Sequence, residues 1–461
     1  MSLIKIEYEK RRLAADETPQ ALFSRLRGNY ACLLESCGKG RYSYIAYDPF
    51  LVAWSENEII QLLQLKDFGL FKKSGVGKII SKSKSWAVLD LLNKFRFMGS
   101  TPVPFCGGAA GYISYDFGTR FAGVTQKVFD DTETPAYLFG FYDKVVAFDH
   151  EESEIYFIAL GETDLAAKRK IAVIKEDLTK TVYPESKGDV LELTSNLSHA
   201  AYLRKVLQVK ELLRKGETYQ VNLSQRFSGV CTKSPWAIYK KLAAANPSPF
   251  ACYYEYPNFS IVSCSPELLF RKRSADIESW PIKGTIARAE NEVEDKKNVA
   301  KLLACEKDNA ELSMITDLVR NDLGKVCKIG SIKVLGHREI EKYSHVIHTV
   351  SRVSGELEDK KTVFDCLEAI FPGGSITGCP KKRTMEIIDQ LEDYKRGVYT
   401  GSAGYISFSG DVDFNILIRT MLLKDGKVYF HAGGGIVMDS DPESEYMETL
   451  DKVEALRLSL E

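Results

Sequence analysis

The chain has 461 residues, 44% hydrophobic and 27% charged, the makeup of a soluble globular protein long enough to bury a large core. Its 62 basic and 63 acidic residues leave a net charge of −1, which removes the electrostatic basis for nucleic acid or an anionic membrane as partner. No segment approaches the ~20 apolar residues of a membrane span, and Met1-Ser2-Leu3-Ile4-Lys5 lacks the apolar run of a secretory signal.

Ten cysteines stand singly, with no C-x-x-C pair and only six histidines in the chain, a pattern against a zinc site or a disulfide framework. They read as small buried hydrophobes in a reducing cytoplasm. Up to about residue 180, short apolar strands alternate with turn clusters such as Cys106-Gly107-Gly108 and Asp130-Asp131. The polar stretch 183–189 has linker composition, so the predicted regions are 1–185 and 195–461.

A helix is predicted next. Tyr202, Val206, Val209 and Leu213 form an apolar stripe, and Gly216 is placed to end it. A strand of period two follows, with Tyr219, Val221, Leu223 and Phe227 on one face. Gln220, Asn222, Ser224 and Arg226 occupy the other face and could line a cavity. Hairpin-like strands dominate to about 290, and helices and strands alternate beyond, which predicts an α+β fold.

Two predicted helices carry acidic faces. One, from about Leu302 to Asn321, has Asp308 and Glu311 at i, i+3. The C-terminal one opens on Asp441 as N-cap with Pro442 in the first turn, and aligns Glu445, Glu448 and Lys452 opposite Tyr446, Leu450 and Val453. If the acidic faces meet, four buried carboxylates demand a cation. Oxygen-only ligands favour Mg2+ over zinc.

Two glycine-rich stretches can receive anions or close-packed ligands. Phe371 to Cys379 runs into a helix with Pro380 in its first turn. Ala432 to Ile436 lets a ligand approach the backbone. Arg419, predicted on a strand, could clamp a carboxylate in bidentate fashion. His345 and His348 flank a β-like segment, and Lys283 closes the run Trp280-Pro281-Ile282-Lys283-Gly284-Thr285.

Taken in order, Gly216 to Phe227, Ser265-Pro266-Glu267, Pro281 to Thr285, Met314 to Asp322, Val346-Ile347-His348, Phe371 to Pro380, Gly401 to Tyr405 and the C-terminal glutamates resemble the chorismate-utilising enzymes. The resemblance is dense over 195–461 and thinner before, where Leu33-Leu34-Glu35-Ser36 and Arg41-Tyr42-Ser43 match. It implies a four-layer α/β/β/α fold with two orthogonally packed antiparallel sheets. It implies Mg2+ held by Glu311 and Glu448 with Asp308 and Glu445 close by, and chorismate as substrate.

Two positions separate branches within the resemblance. Isochorismate and salicylate synthases carry a water-activating lysine where this chain has Gln220. Anthranilate synthases carry alanine where it has Lys283, and aminodeoxychorismate synthases of the nucleophilic type carry lysine. The branch implied is therefore amination of chorismate at C4. The neutral Lys283 amine attacks C2, Glu267 protonates the departing C4 hydroxyl, and ammonia enters at C4. Glu267 then needs its pKa raised. Thr377, Tyr399, Arg419, Gly434 and Lys452 would contact substrate carboxylates, His348 the ring region, and Gln220 counts among the substrate-facing residues. The alternative is an anthranilate synthase large subunit releasing anthranilate and pyruvate.

Cys379 replaces a common alanine, and Leu312 a common polar residue beside Glu311. With no Gly-x-Cys-x-Gly elbow, ammonia should come from a separate glutamine amidotransferase subunit or from free ammonium. Only ten residues follow Asp451, so no appended lyase domain is expected. In anthranilate synthases the segments matching Leu33–Ser36 and Asn246–Phe250 line a tryptophan inhibitor site. The second departs from the inhibited pattern here, so a structural or vestigial site at most is expected.

Overall fold

In the computed structural model the described residues are all but 1, 57–58, 69–75, 78, 83–91, 93–94, 99, 183–184, 186, 290 and 343–345. His345 and part of the linker stretch lie outside them. The described strands form two sheets, one of thirteen and one of twelve. The first runs from Val190–Ser195 through Gln220–Cys231, Lys427–Ile436, Thr420–Lys424, Phe259–Ser265 and Phe250–Glu255. It continues through Ala31–Glu35, Tyr42–Ala46, Lys144–Asp149, Glu154–Gly161 and Ser2–Arg12 to Phe95–Met98. The second begins with Ile282–Ala287, Val346–Glu356, Asp276–Trp280 and Leu268–Arg273, and reaches Gly108–Ile113, Tyr137–Tyr142 and Leu51–Glu56. Pairing is antiparallel throughout, save where Ser2–Arg12 meets Phe95–Met98. Both sheets thus join strands from either side of position 190.

Period-two patterning explains the layers. In the first sheet Leu33, Ile45, Val146, Phe157 and Tyr253 turn outward to a cluster with the helices Pro19–Leu26, Asp164–Asp177, Pro235–Ala245 and Pro442–Leu460. Their neighbours Cys32, Tyr44, Val145, Tyr156 and Tyr254 turn inward to meet Val52, Tyr112, Leu138 and Tyr405 of the second sheet. The outward side chains Ala53, Phe139 and Ile406 pack with the helices Glu306–Gly324 and Val363–Ile370. The result is α+β in four layers, α/β/β/α.

The predicted helix is His199–Arg214, and its stripe of Tyr202, Val206, Val209 and Leu213 is wholly buried against Val221, Leu223 and Ile436. Gly216 ends it at φ 73°. The acidic helix differs from expectation. It is Glu306–Gly324, separated from Glu292–Ala304 at Cys305, whose extended backbone (φ −70°, ψ 107°) ends one helix and begins the next. The C-terminal helix is Pro442–Leu460, with the Asp441 side chain accepting from the Ser444 amide. No helix among the described residues is long and apolar enough to cross a membrane.

Candidate active site

The edge of the second sheet meets one end of the first where Lys283 and Gln220 converge on a glycine strand. Lys283 stands on Ile282–Ala287, whose pairing with Val346–Glu356 shifts register between Lys283 and Thr285. Gly284, at φ 78°, makes that bulge and re-aims the preceding side chain. A Cβ on Gly284 would also lie 3.0 Å from Asp308 Oδ2, so the helix Glu306–Gly324 packs directly on the bulge. Lys283 Nζ lies 3.4 Å from Glu311 Oε2, and both side chains are largely buried.

The second glycine stretch is the end of a strand, Lys427–Ile436, paired with Gln220–Cys231. A Cβ on Gly435 would come within 2.5 Å of Gln220 Nε2 and 3.1 Å of Lys283 Nζ. One on Gly434 would come within 2.9 Å of Glu445 Oε2 and 3.5 Å of Glu448 Oε1. The bare backbone is what lets four side chains crowd one spot. Gln220 is fully buried, and its amide oxygen and nitrogen have no partner among the described residues. Buried polar atoms left this way are free for a bound molecule to satisfy.

Three of the four acidic side chains face a lysine. Besides Lys283–Glu311, Lys307 Nζ lies 3.2 Å from Glu445 Oε1 and Lys452 Nζ 2.6 Å from Glu448 Oε1. Lys452 also donates to the Gly433 carbonyl at 2.8 Å. Partial burial alone would push the Glu448 carboxyl up, but Lys452, with Lys283 and Lys307 behind it, holds it below the usual range. Among the described residues no three acidic, histidine or cysteine side chains are gathered into a ready cage. The donor set still fits a hard cation. It is all oxygen, on two helices joined by the Lys307–Glu445 pair, and the buried Glu445 Oε2 has no partner among the described residues.

Glu267 follows the strand Phe259–Ser265 and is buried, with Oε1 accepting from Ser375 Oγ at 2.6 Å. Burial raises its pKa to about 7, opposed by the Ser375 hydrogen bond, the Lys283 charge and the Ile282 amide. This is the direction required of a group that must hold a proton. His348 is buried on Val346–Glu356 with Nδ1 2.8 Å from Thr285 Oγ1. Burial and the Arg419 charge lower its pKa to about 3, so it is neutral at pH 7.

Arg419 is not on a strand. It precedes Thr420–Lys424 at φ 51°, and Nη1 donates to Asn246 Oδ1 at 3.0 Å. The left-handed backbone turns it out of the ladder. The loop before the helix Lys381–Leu391 holds a 3₁₀ turn at Gly374–Ile376 and a two-residue strand, Gly378–Cys379, paired with Gln220–Val221. Pro380 caps that helix rather than standing in its first turn. Buried Thr377 donates to the Gly373 carbonyl at 2.8 Å. Tyr399 is buried and stacks on His431 with centroids 4.9 Å apart.

Sequence reasoning missed three supports. Ser375 sits inside the glycine loop, where only its 2.6 Å bond to Glu267 reveals it. Lys307 lies one position before Asp308. Arg396, 3% exposed, donates to the Ile376 and Asn222 carbonyls at 2.9 and 2.7 Å and is paired with Glu392 at 2.7 Å. It ties the glycine loop to the strand bearing Gln220. The charge embedded in Arg396-Gly397-Val398-Tyr399 was the available signal. Elsewhere, Glu35, Ser36, Pro249 and Phe250 do meet, with Arg273 and Trp280, around a cavity of about 470 Å³.

Residues 30–457 match the family described as chorismate binding enzyme. The chain is 37% identical to anthranilate synthase component 1 of Acetivibrio thermocellus, over 96% of this chain and 93% of that protein. It is equally 37% identical to aminodeoxychorismate synthase component 1 of Bacillus subtilis (strain 168), over 93% and 91%. The crystal structure of anthranilate synthase component I from Streptococcus pneumoniae TIGR4 superposes with TM-score 0.80 at 31% identity, covering 97% and 99%. The chain therefore belongs to the chorismate binding enzyme family. It is an enzyme acting on chorismate.

Proposed function

We propose that this chain aminates chorismate at C4, giving 4-amino-4-deoxychorismate through a covalent lysine intermediate. One observation carries the reading: a buried amine, Lys283, at the junction of the sheets, with Nζ 3.4 Å from Glu311 Oε2 and close enough to act on the protonatable Glu267. In the first half, neutral Lys283 Nζ forms a bond to C2, the ring double bonds shift, and the C4–O bond breaks as Glu267 gives its proton to the leaving hydroxyl. In the second half, ammonia bonds to C4, ionised Glu267 takes the surplus proton, and the shift reverses to release Lys283. The covalent step divides one hard allylic substitution into two easier ones.

The family resemblance implies a divalent cation, and Asp308, Glu311, Glu445 and Glu448 would hold it. When bound, it would neutralise the ring carboxylate and fix the ring's position. Gln220, Thr377, Tyr399, Arg419, Gly434 and Lys452 would orient the substrate, and neutral His348 would face the ring. The similar proteins are named component 1, which supports a second component; a glutamine amidotransferase subunit would deliver the ammonia.

Relatives of both kinds match at the same 37% identity, so anthranilate and pyruvate are the alternative products. The lysine at 283 favours amination. Incubation with chorismate, Mg2+ and ammonium should give para-aminobenzoate once a lyase is added, and Lys283→Ala should abolish it. Anthranilate as product would overturn the branch, and an active Lys283→Ala the covalent route.

A further inference from the structure

Three lysines reach the acidic faces, and the proposed reaction uses two of them, Lys283 and Lys452. Lys307 has no part in it. It lies on the first turn of Glu306–Gly324, directly before Asp308, and its Nζ is 3.2 Å from Glu445 Oε1 on the C-terminal helix. Glu445 is 2% exposed. Its Oε1 also accepts from Ser440 Oγ at 2.6 Å, and its Oε2 lies against Gly434 with no partner among the described residues. Burying a carboxylate this deeply is costly unless a cation pairs with it. Among the described residues the cation within contact of Glu445 is Lys307. Glu445 itself cannot leave, whereas the Lys307 side chain is 44% exposed and can swing its charged end to water.

We propose that Lys307 is a built-in stand-in for the divalent cation, neutralising Glu445 while the metal is away and competing with it when it arrives. This rests on the reading of Asp308, Glu311, Glu445 and Glu448 as the metal's oxygen ligands. A divalent ion on Glu445 Oε2 and an ammonium on Oε1 would stand only a few ångströms apart across one carboxylate and repel strongly. Lys307 must therefore withdraw as the metal enters, and its withdrawal lowers the apparent metal affinity. The metal-free fold is protected in exchange.

The two effects have opposite signs in Lys307→Met, which keeps the stem and removes the charge. With chelator present the variant should melt below wild type, because Glu445 is left buried without a counter-charge. Calorimetric titration with Mg2+, or with Mn2+ followed by its paramagnetic signal, should give binding tighter on the order of tenfold. Lys307→Arg should restore both values. A brace without competition predicts the lower melting temperature with metal affinity unchanged or weakened, and that result overturns the proposal. If Lys307→Met does not fold, Lys307→Gln, uncharged but still a donor, carries the same comparison. Wild-type protein that takes up neither ion would sink the metal reading and this proposal together. Wild-type uptake with no gain in the variants sinks the proposal alone.

Discussion

Ser375→Ala tests the acid assigned to Glu267. The hydroxyl donates to Glu267 Oε1 at 2.6 Å and stabilises the charged carboxylate, holding down a pKa that burial raises to about 7. A hydrogen bond to a charged group is worth about 1.5–3 kcal/mol, and one pKa unit is ~1.4 kcal/mol. Removing it should raise the Glu267 pKa by roughly one to two units. A general acid works only while protonated, so the rate falls as pH passes its pKa, and in the variant that fall moves to higher pH. Ammonium itself titrates nearby, so the readout is single-turnover formation of the Lys283 adduct in ammonium-free buffer, followed by intact-protein mass. A falling limb that stays in place, or moves down, refutes the assignment.

Four further outcomes are expected. Glu267→Gln should cut turnover on the order of 10²–10⁴-fold. The same variant should be more stable than wild type, because a carboxyl raised from 4.5 to about 7 favours folding below the lower value and loses that contribution as pH rises through the upper one. The gain should grow between those values to roughly 3 kcal/mol and then level off, as read from urea midpoints across pH. Arg396→Met strands the buried Glu392 and should cost about 3–5 kcal/mol in urea unfolding, with loss of activity because the glycine loop is no longer tied to the Gln220 strand. Tryptophan titrated against the 470 Å³ cavity should give no micromolar inhibition, with binding followed by calorimetry.

What the sequence could disclose was set by distance along the chain. The stripe of Tyr202, Val206, Val209 and Leu213 and the cap at Asp441 are written within one or two turns, and both stand as read. The alternation of Gln220, Asn222 and Ser224 against Val221 and Leu223 is equally local. Ser375 and Glu267 are 108 positions apart, and nothing near either residue announces the other. Lys307 looks like any helical surface lysine until the C-terminal helix arrives 138 positions later. Two local readings failed because tertiary packing won. The break at Cys305 interrupts a sequence with continuous helical character, and Arg419 leaves its strand through a left-handed residue that carries no glycine to signal it.

The interleaving of strands has a consequence for anyone who would divide this chain. Phe250–Glu255 is zipped to Ala31–Glu35, and Ser402–Ser407 to Gly108–Ile113, so amputating the first 185 residues would bare two raw edges in the middle of both sheets. The half that bears Lys283 and the acidic helices borrows its walls from the half that bears none of them. Catalytic capacity here is a property of the whole chain, and no excised fragment should inherit it.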